Sequence, residues 1–490
     1  MANVNEIFNL IGNGVNDKEK ELINKAYEFA KNAHENQKRA SGDPYFLHVF
    51  ETAKTLAQFG MDTQTIAAGL LHDVLEDTKA TEEEIKNKFG DDILFLIKGV
   101  TKLGTLKYQG HERHVESLRK FFIAMANDLR VVIIKFADRL HNLNTLEFLP
   151  NEEKKKRIAI ESIEVYAPLA NRLGMGKLKG DIEDAAFPFA YPKEYMQIEE
   201  IIKEKKDLYK KYLTEVSGEL RKELNKNKIK FEEIDYRIKH KYSLYKKLLK
   251  YDMDIEKIYD VVALRIVVDT VEECYRVLGI VHSIWNPLPG RIKDYIAVPK
   301  PNGYQSIHTT IFTGLGGIAE IQIRTKEMHA EAAYGIAAHF AYKEHGSKKV
   351  KQDKNKFKWV EELKELNYSP GDPRKFIDHL KMDFFSDRIF IFTPKGDVID
   401  LPENSTPIDF AYSVHSDVGN HVSAAKINSK MLPIYSKLKN GDIVEIITKK
   451  DAKPSGKWLE YAKTTAAKKH IKSFIEKNSL LTKFKSFGRS

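Results

Sequence analysis

Between Gly290 and Lys326 the chain reads GRIKDYIAVPKPNGYQSIHTTIFTGLGGIAEIQIRTK, its densest run of side chains able to hold phosphates and a base. Arg291, Lys293, Lys300 and Lys326 supply cations; Asn302, Gln305, Ser306 and His308 supply donors and acceptors; Tyr304 supplies a flat ring. Pro299, Pro301 and Gly303 turn the backbone between them. Ala319 to Thr325 alternates apolar and polar residues, which predicts a strand with Glu320, Gln322 and Arg324 on one face. A carboxylate, an amide and a guanidinium beside such a loop make a floor for a nucleotide. Upstream, IYDVVALRIVV (258–268) predicts a buried strand with Asp260 near its start. Asp260 and Glu320 on two strands could hold a hard divalent cation between triphosphate oxygens, because magnesium takes one or two carboxylates plus phosphates. With a helix from about residue 240, Arg237, Lys239, Ser243 and Lys247 gather on one side.

A second chemistry is written nearer the N-terminus, in GLLHDVLEDT (69–78) and KFADRLHNLNT (135–145). On one continuous helix, His72 would stack over Glu76 and Asp73 over Asp77, four residues apart. His72 and Asp73 are too few ligands alone. His48 and Asp138, on other expected helices, complete a set of two imidazoles and two carboxylates. That mixture suits manganese, iron or zinc better than magnesium or calcium. A divalent ion so held makes water a nucleophile at neutral pH, and Glu76 and Asp77 are placed to orient that water or take its proton.

The elements that must position these groups follow from periodicity. Residues 18–200 show apolar spacings of three and four and are expected to be mostly helical. Residues 196–250 read as a lysine-rich, helix-prone bridge. From Arg388 the period changes to two: RIFIFTP, VIDLP, AAKINSKMLP and DIVEIIT predict strands around a helix at DFAYSV, with His415 on the loop after it. With 490 residues, 42% of them hydrophobic, the chain can bury several cores. Its one cysteine, Cys274, excludes an internal disulfide and suits a reducing cytosol. No apolar run reaches the roughly 18 residues needed to span a bilayer, and residues 1–20 lack the pattern of a secretory leader. A cytoplasmic protein is expected. The formal charge of +10 favours polyanionic partners.

Arg237-x-Lys239, Ser243, Lys247, the strand with Asp260, RIKDYIAVPKPNGYQSIHTT and AEIQIRTKEMHAEAAYGIAAHFAYK together resemble the synthetase domain of Rel/Spo-type stringent-response enzymes. HDVLED, KFADRLHNLNT and YAPLANRLGMGKLKGDIEDAAF resemble the HD-type hydrolase domain of the same family. The resemblance implies a bifunctional enzyme that moves pyrophosphate from ATP to the 3′-hydroxyl of GDP or GTP and hydrolyses the resulting (p)ppGpp. It assigns His48, His72, Asp73 and Asp138 to Mn2+, Glu76 and Asp77 to the attacking water, and Arg39, Asn142 and Thr145 to the nucleotide. In synthesis it implies Mg2+ on Asp260 and Glu320, with Glu320 also taking the 3′-hydroxyl proton. Arg237, Lys239, Ser243, Lys247, Arg291 and Lys293 would bind substrate; Tyr304 would stack on guanine, with Lys300, Asn302, His308 and Gln322 around it. Two positions depart from the family pattern: Ala40 stands where a second basic residue is usual, and Val49 follows His48 in place of proline. The basic Arg291-x-Lys293-Asp294 motif goes, by the same resemblance, with a preference for GDP.

The segment from Arg388 resembles a TGS domain, which implies contact between His415 and a tRNA 3′ end and, through tRNA, the ribosome. The expected organisation is multi-domain: an all-α hydrolase (1–195), an α/β nucleotidyltransferase-like synthetase with its helical bridge (196–345), a linker (346–385), a β-grasp TGS module (386–449) and a helical stub (450–490). Long family members carry regulatory regions beyond this point. Two other functions fit parts of the pattern: a hydrolase with an inactive synthetase, and a non-enzymatic RNA- or ribosome-binding regulator.

Overall fold

Local signals set the first helices. After α1 (Val4–Ile11), α2 (Asp17–Ala33) opens on a reciprocal cap: Asn16 accepts from the Glu19 N–H, and Glu19 accepts from that of Asn16. α3 (Phe46–Gln58) and α4 (Thr63–Leu71) then pack closely because Gly69 has no side chain. A Cβ there would lie 2.4 Å from Leu56 Cδ1. Val49, Phe50, Leu56, Ile66, Leu70 and Leu71 are buried in this seam, each contributing about 1.5–3 kcal/mol. The seam fixes His48, in the first turn of α3, against His72 at the end of α4.

The continuous helix expected through GLLHDVLEDT does not form. α4 stops at Leu71, His72 and Asp73 turn, and α5 (Val74–Asp77) restarts the coil. His72 bonds back through Nδ1 to the Gly69 carbonyl at 2.8 Å, closing the end of α4. α3 begins at Phe46, and Val49, where the family pattern has proline, is buried in its first turn.

α6 (Glu82–Thr101) bends at Gly90, whose φ of 88° breaks the helix. α7 (Leu129–Asn144), capped by Asp128, carries Asp138, His141 and Asn142 past the ends of α3 and α4. α8 (Glu152–Glu161), α9 (Ala167–Arg172) and α10 (Gly176–Ala190) complete the helical half. α11 (Pro192–Lys226) is one long helix. The bridge is not helical to residue 250: β1 (Phe231–Ile238) intervenes before α12 (Lys241–Leu249). Ile234, Tyr236 and Ile238 alternate there with Asp235 and Arg237, a period-two signal.

β2 (Val262–Val268), α13 (Val271–Ile284), β3 (Lys293–Asp294), β4 (Ile307–Phe312), β5 (Ile318–Thr325) and α14 (Lys326–Tyr334) follow. The sheet order is β1-β2-β5-β4-β3. β2 and β5 run parallel, and the remaining pairs are antiparallel. Asp260 lies in the turn just before β2, two residues outside the strand.

The computed structural model describes residues 2–12, 14–101, 127–258, 260–300, 302–313, 317–338 and 388–487. The expected linker at 346–385 lies outside them. The chain divides into two units, Met1–Ser369 and Pro370–Ser490. In the second, β6 (Arg388–Phe392) pairs with β7 (Val398–Pro402), and β8 (Val422–Ile427) lies between β9 (Lys430–Leu432) and β10 (Val444–Thr448). α15 (Pro407–Val414) packs its two sides against different cores. Phe410 joins Ile391, Leu401 and Val444, whereas Ile408 and Tyr412 meet Trp458, Ala467 and Ile471.

Those last residues come from α17 (Trp458–Tyr461) and α18 (Thr465–Phe487), separated from the first core by α15. The expected stub is therefore packed onto the sheet module. Buried Asp409 joins the two: one carboxylate oxygen accepts from Thr406 in the cap of α15, the other from the Lys463 and Thr464 N–H groups leading into α18. The SDVGNH stretch is a short helix, α16 (Ser416–Asn420), rather than a loop. Across the described residues no helix is long and apolar enough to cross a membrane.

Candidate active sites

The first site lies where α3, α4 and α7 converge. His48 Nε2 is 3.4 Å from Asp73 Oδ2 and 3.3 Å from Asp138 Oδ1; His72 Nε2 is 3.2 Å and 3.9 Å from the same two atoms. His48, His72 and Asp138 are buried and offer ligand atoms all within 4.8 Å of one another. His72 donates through Nδ1 to the Gly69 carbonyl, so its neutral ring presents a lone pair at Nε2, a buried atom without a hydrogen bond of good geometry. An orphaned imidazole nitrogen facing two carboxylate oxygens is the donor set of a divalent metal centre.

The two carboxylates call for a positive charge at this point. Burial disfavours charge on His72, yet Asp73 and Asp138 push its pKa up to about 9, so below that pH a divalent ion would take the place of the Nε2 proton. Burial also pushes Asp138 up, but the Lys135 ammonium and the two imidazoles outweigh it and keep the carboxyl well below the usual range. Lys135 Nζ stands 2.6 Å from Asp138 Oδ2, which leaves Oδ1 toward the imidazoles.

Around this cluster, the Tyr45 hydroxyl lies 2.9 Å from Asp73 and 2.7 Å from Asp77, gathering both acids. Glu76 stays protonated to higher pH than an ordinary glutamate, through burial and then the charges of Asp73 and Asp77. Arg39 donates to His141 Nδ1 and Asn142 Oδ1, and Asn142 donates to Asp138 Oδ1. Thr145 donates to the His141 carbonyl at the end of α7. The sequence reading missed Tyr45, Lys135 and His141. The last two sit three residues to either side of Asp138, a helical spacing that could have marked them.

The second site is the polar face of the five-stranded sheet. Register places Lys293 opposite His308, His308 opposite Gln322, Gln322 beside Arg265, and Arg265 opposite Asp235, one row across five strands. Within it a ring of hydrogen bonds closes. His308 Nδ1 donates to Glu320 at 2.6 Å. Tyr304 donates to His308 Nε2 at 2.7 Å. Arg324 donates to the Tyr304 hydroxyl and to Gln322, and Gln322 donates to Glu320. Glu320 is thereby held ionised: burial would raise its pKa, but the His308 bond outweighs it. Asp260 accepts from Lys239 at 2.7 Å and Lys247 at 2.5 Å. Lys300 Nζ stands 4.5 Å from the Tyr295 ring centroid and 4.9 Å from that of Tyr304.

Other residues named from the sequence face elsewhere. Ser243 donates to Glu183 of α10 rather than joining the carboxylates. Asn302 donates to the Asn171 carbonyl. Lys326 pairs with Asp269 and Glu232, while Gln305 and Ser306 bond to backbone carbonyls. By contrast, Arg237, half-buried on β1 in register with Ala263 and Glu320, and exposed Lys293, opposite His308, lie on the polar face itself; Arg291 is exposed. In the second unit, His415 accepts the Asp417 N–H through Nδ1 and so caps α16.

A helical bundle with a two-histidine, two-carboxylate cluster, joined to a mixed sheet with a polar face, defines a two-site protein. Family models match in the same order: an HD domain over residues 26–176, the region found in RelA / SpoT proteins over 236–347, and a TGS domain over 389–448. Residues 236–347 thus match the region found in RelA / SpoT proteins, and most of the chain is similar to proteins that carry those names. It is 46% identical over 458 residues to the guanosine-3′,5′-bis(diphosphate) 3′-pyrophosphohydrolase of Aquifex aeolicus, covering 93% of this chain and 65% of that protein. It is 44% identical over 464 residues to the GTP pyrophosphokinase of Myxococcus xanthus, covering 94% and 61%. It is 40% identical over 459 residues to the bifunctional (p)ppGpp synthase/hydrolase SpoT of Escherichia coli K12, covering 93% and 64%. The chain thus spans less than two thirds of the length of these relatives.

Proposed function

We propose that this chain both makes and destroys (p)ppGpp, with residues 1–195 hydrolysing it and 196–345 synthesising it. The observation that carries the proposal is the presence, in one chain, of two chemically different constellations. One is a buried imidazole–carboxylate cluster; the other is a cation-rich sheet face with two ionised carboxylates.

In synthesis the 3′-oxygen of GDP or GTP attacks the β-phosphorus of ATP, and the bond from that phosphorus to the α-phosphate bridge breaks, releasing AMP. Glu320 accepts the hydroxyl proton. Arg237, Lys239, Lys247, Arg291 and Lys293 offset the charge on the transferred group, which is most of what phosphoryl transfer asks of a protein. Asp260 and Glu320 would hold Mg2+, which supplies charge neutralisation at the phosphates. Lys239 and Lys247 would pass from Asp260 to phosphate. Tyr304 would stack on guanine, with Lys300, Asn302, His308 and Gln322 around it and Ser243 on the adjoining helix.

In hydrolysis, water adds to the phosphorus bonded to the ribose 3′-oxygen, and that P–O bond breaks to leave GDP or GTP and pyrophosphate. His48, His72, Asp73 and Asp138 would hold Mn2+, which supplies Lewis acidity toward phosphate and water. Glu76 takes the water proton; Asp77, pinned by Tyr45, orients it. Arg39, Asn142 and Thr145 lie where a nucleotide would enter. Both reactions would draw on nucleotide pools, which supports a cytoplasmic protein. The test is the purified full chain given ATP and GDP with Mg2+, and separately ppGpp with Mn2+. Product in both supports the proposal; hydrolysis without synthesis would reduce the protein to a hydrolase, and neither would point to a binding protein.

We further propose that the second unit reads a tRNA 3′ end, through which the ribosome is reached. Its lysines supply the salt-dependent part, and the His415 ring an unpaired-base contact worth about 1–3 kcal/mol. His415→Ala in the full chain should weaken tRNA binding roughly tenfold, or ~1.4 kcal/mol, and leave its salt slope unchanged. Equal binding by wild type and variant would remove His415 from the role.

A further inference from the structure

We infer that Arg39 and His141 are positioning residues of the metal centre, fixing which nitrogen of His48 is free to bind. The inference rests on the metal-centre reading above. His48 Nδ1 lies 2.8 Å from His141 Nδ1, and Arg39 Nη1 lies 3.0 Å from that same His141 nitrogen. A guanidinium can only donate. His141 Nδ1 is therefore the acceptor, its single lone pair shared by two donors, and its ring proton sits on Nε2. The facing His48 nitrogen must then carry a hydrogen. A neutral imidazole has one N–H, so His48 Nε2 is left bare, and Nε2 is the atom that faces Asp73 and Asp138.

Distance alone permits the reverse arrangement, in which His141 donates to His48. That would put a hydrogen on His48 Nε2 and block it as a ligand. Arg39 breaks the tie. Its second nitrogen, Nη2, donates to Asn142 Oδ1 at 2.5 Å, which orients the amide so that its Nδ2 donates to Asp138 Oδ1 at 2.5 Å. One guanidinium thus directs the protons at two ligands carried by different helices. Arg39 is itself held in a turn, its N–H bonded to the Asp43 carbonyl and its carbonyl accepting from Gly42. The resemblance gives Arg39 and Asn142 to the nucleotide alone; the geometry points to a task they perform before any nucleotide arrives.

Partners of this kind typically change metal affinity by about 10–100-fold. The test is a Mn2+ titration of the nucleotide-free full chain, in wild type, His141→Phe, His141→Gln and Arg39→Met, with thermal melts of each. His141→Phe removes the acceptor, Arg39→Met removes the donor but keeps the stem, and His141→Gln can still accept. The expected result is about 10–100-fold weaker Mn2+ binding for the Phe and Met variants, with Gln close to wild type and apo melts little changed. A second measurement needs no variant: in Zn2+-loaded, 15N-histidine-labelled wild type, long-range nitrogen–proton spectra should show His48 protonated at Nδ1 and His141 at Nε2. Wild-type Mn2+ affinity in the Phe and Met variants, even with a raised KM for nucleotide, would overturn the inference, as would a His48 proton on Nε2. Wild type that binds no divalent ion would instead overturn the metal-centre reading itself.

Discussion

Among the described cations of the polar sheet face, Lys300 is the one whose charge is most exposed to ordinary changes of pH. Burial, and then the neighbouring charge of Lys293, push its pKa down from 10.5 to about 8. Between about pH 8 and 10.5 the folded chain therefore holds fewer protons at this site than the unfolded one. The lysine costs the fold stability below pH 8, and the cost fades as pH rises through that window. A phosphate beside it restores the charged form, so nucleotide binding at pH 8.5 should take up a proton. Calorimetry in two buffers of different ionisation enthalpy should show that uptake, and Lys300→Met should abolish it; wild-type heats independent of buffer would remove Lys300 from phosphate contact. At this scale the sequence was informative where chemistry is local. The Glu320–Gln322–Arg324 face could be read from spacing alone, whereas the helical stacking expected within HDVLED gave way to the turn at His72 and Asp73. What spacing could not reveal is which way a polar group turns once packed: Ser243 toward Glu183, Asn302 toward Asn171, and His141 toward His48.

At the scale of elements, two seams among the described residues of the first unit tie the halves together in addition to the long helix α11, whose Glu199 and Tyr195 meet Lys241. One joins α10 to α12: Asp184 accepts from the Tyr242 N–H and pairs with His240, while Glu183 accepts from Ser243. Lys247 of α12 in turn holds Asp260. The other joins α14 to the turn after α9, where the Ile336 N–H donates to the Leu173 carbonyl. Gly335 makes that approach possible. It sits at φ 53°, and a Cβ there would lie 2.3 Å from the Leu173 oxygen and 2.4 Å from the Gly174 carbonyl carbon. Those are backbone atoms, so Gly335→Ala should destabilise the chain by about 1–3 kcal/mol or more, seen as a lowered melting temperature. An unchanged melt would mean that the seam yields cheaply. Ser217 and Gly218, in the helix-prone bridge, lie inside α11. Most helices, the strands β2 and β5, and the strands of the second unit were legible from periodicity; β3, β4 and the mixed strand order were not. β1 was obscured by its charged neighbours, and the packing of α18 onto α15 depends on Asp409 reaching across to Thr464, a contact no local pattern announces.

For the whole molecule, an enzyme that ran both reactions together would only consume ATP. The seams give the opposing sites a physical route of communication, and a ligand shifts such an equilibrium only by its differential affinity for the two states. Saturating non-hydrolysable ATP and GDP analogues should therefore slow ppGpp hydrolysis, and Asn302→Ala, which cuts the bond to Asn171, should weaken that effect. Equal hydrolysis rates with and without analogues would remove the case for coupling. The central claim, two reactions on two separate constellations, is tested most directly by reciprocal variants of the full chain assayed for both activities. Asp73→Asn should abolish Mn2+-dependent ppGpp hydrolysis by orders of magnitude and leave ATP-to-GDP pyrophosphoryl transfer within severalfold of wild type, while Glu320→Gln should do the opposite. Loss of both activities in either variant, or full hydrolysis by Asp73→Asn, would contradict the account.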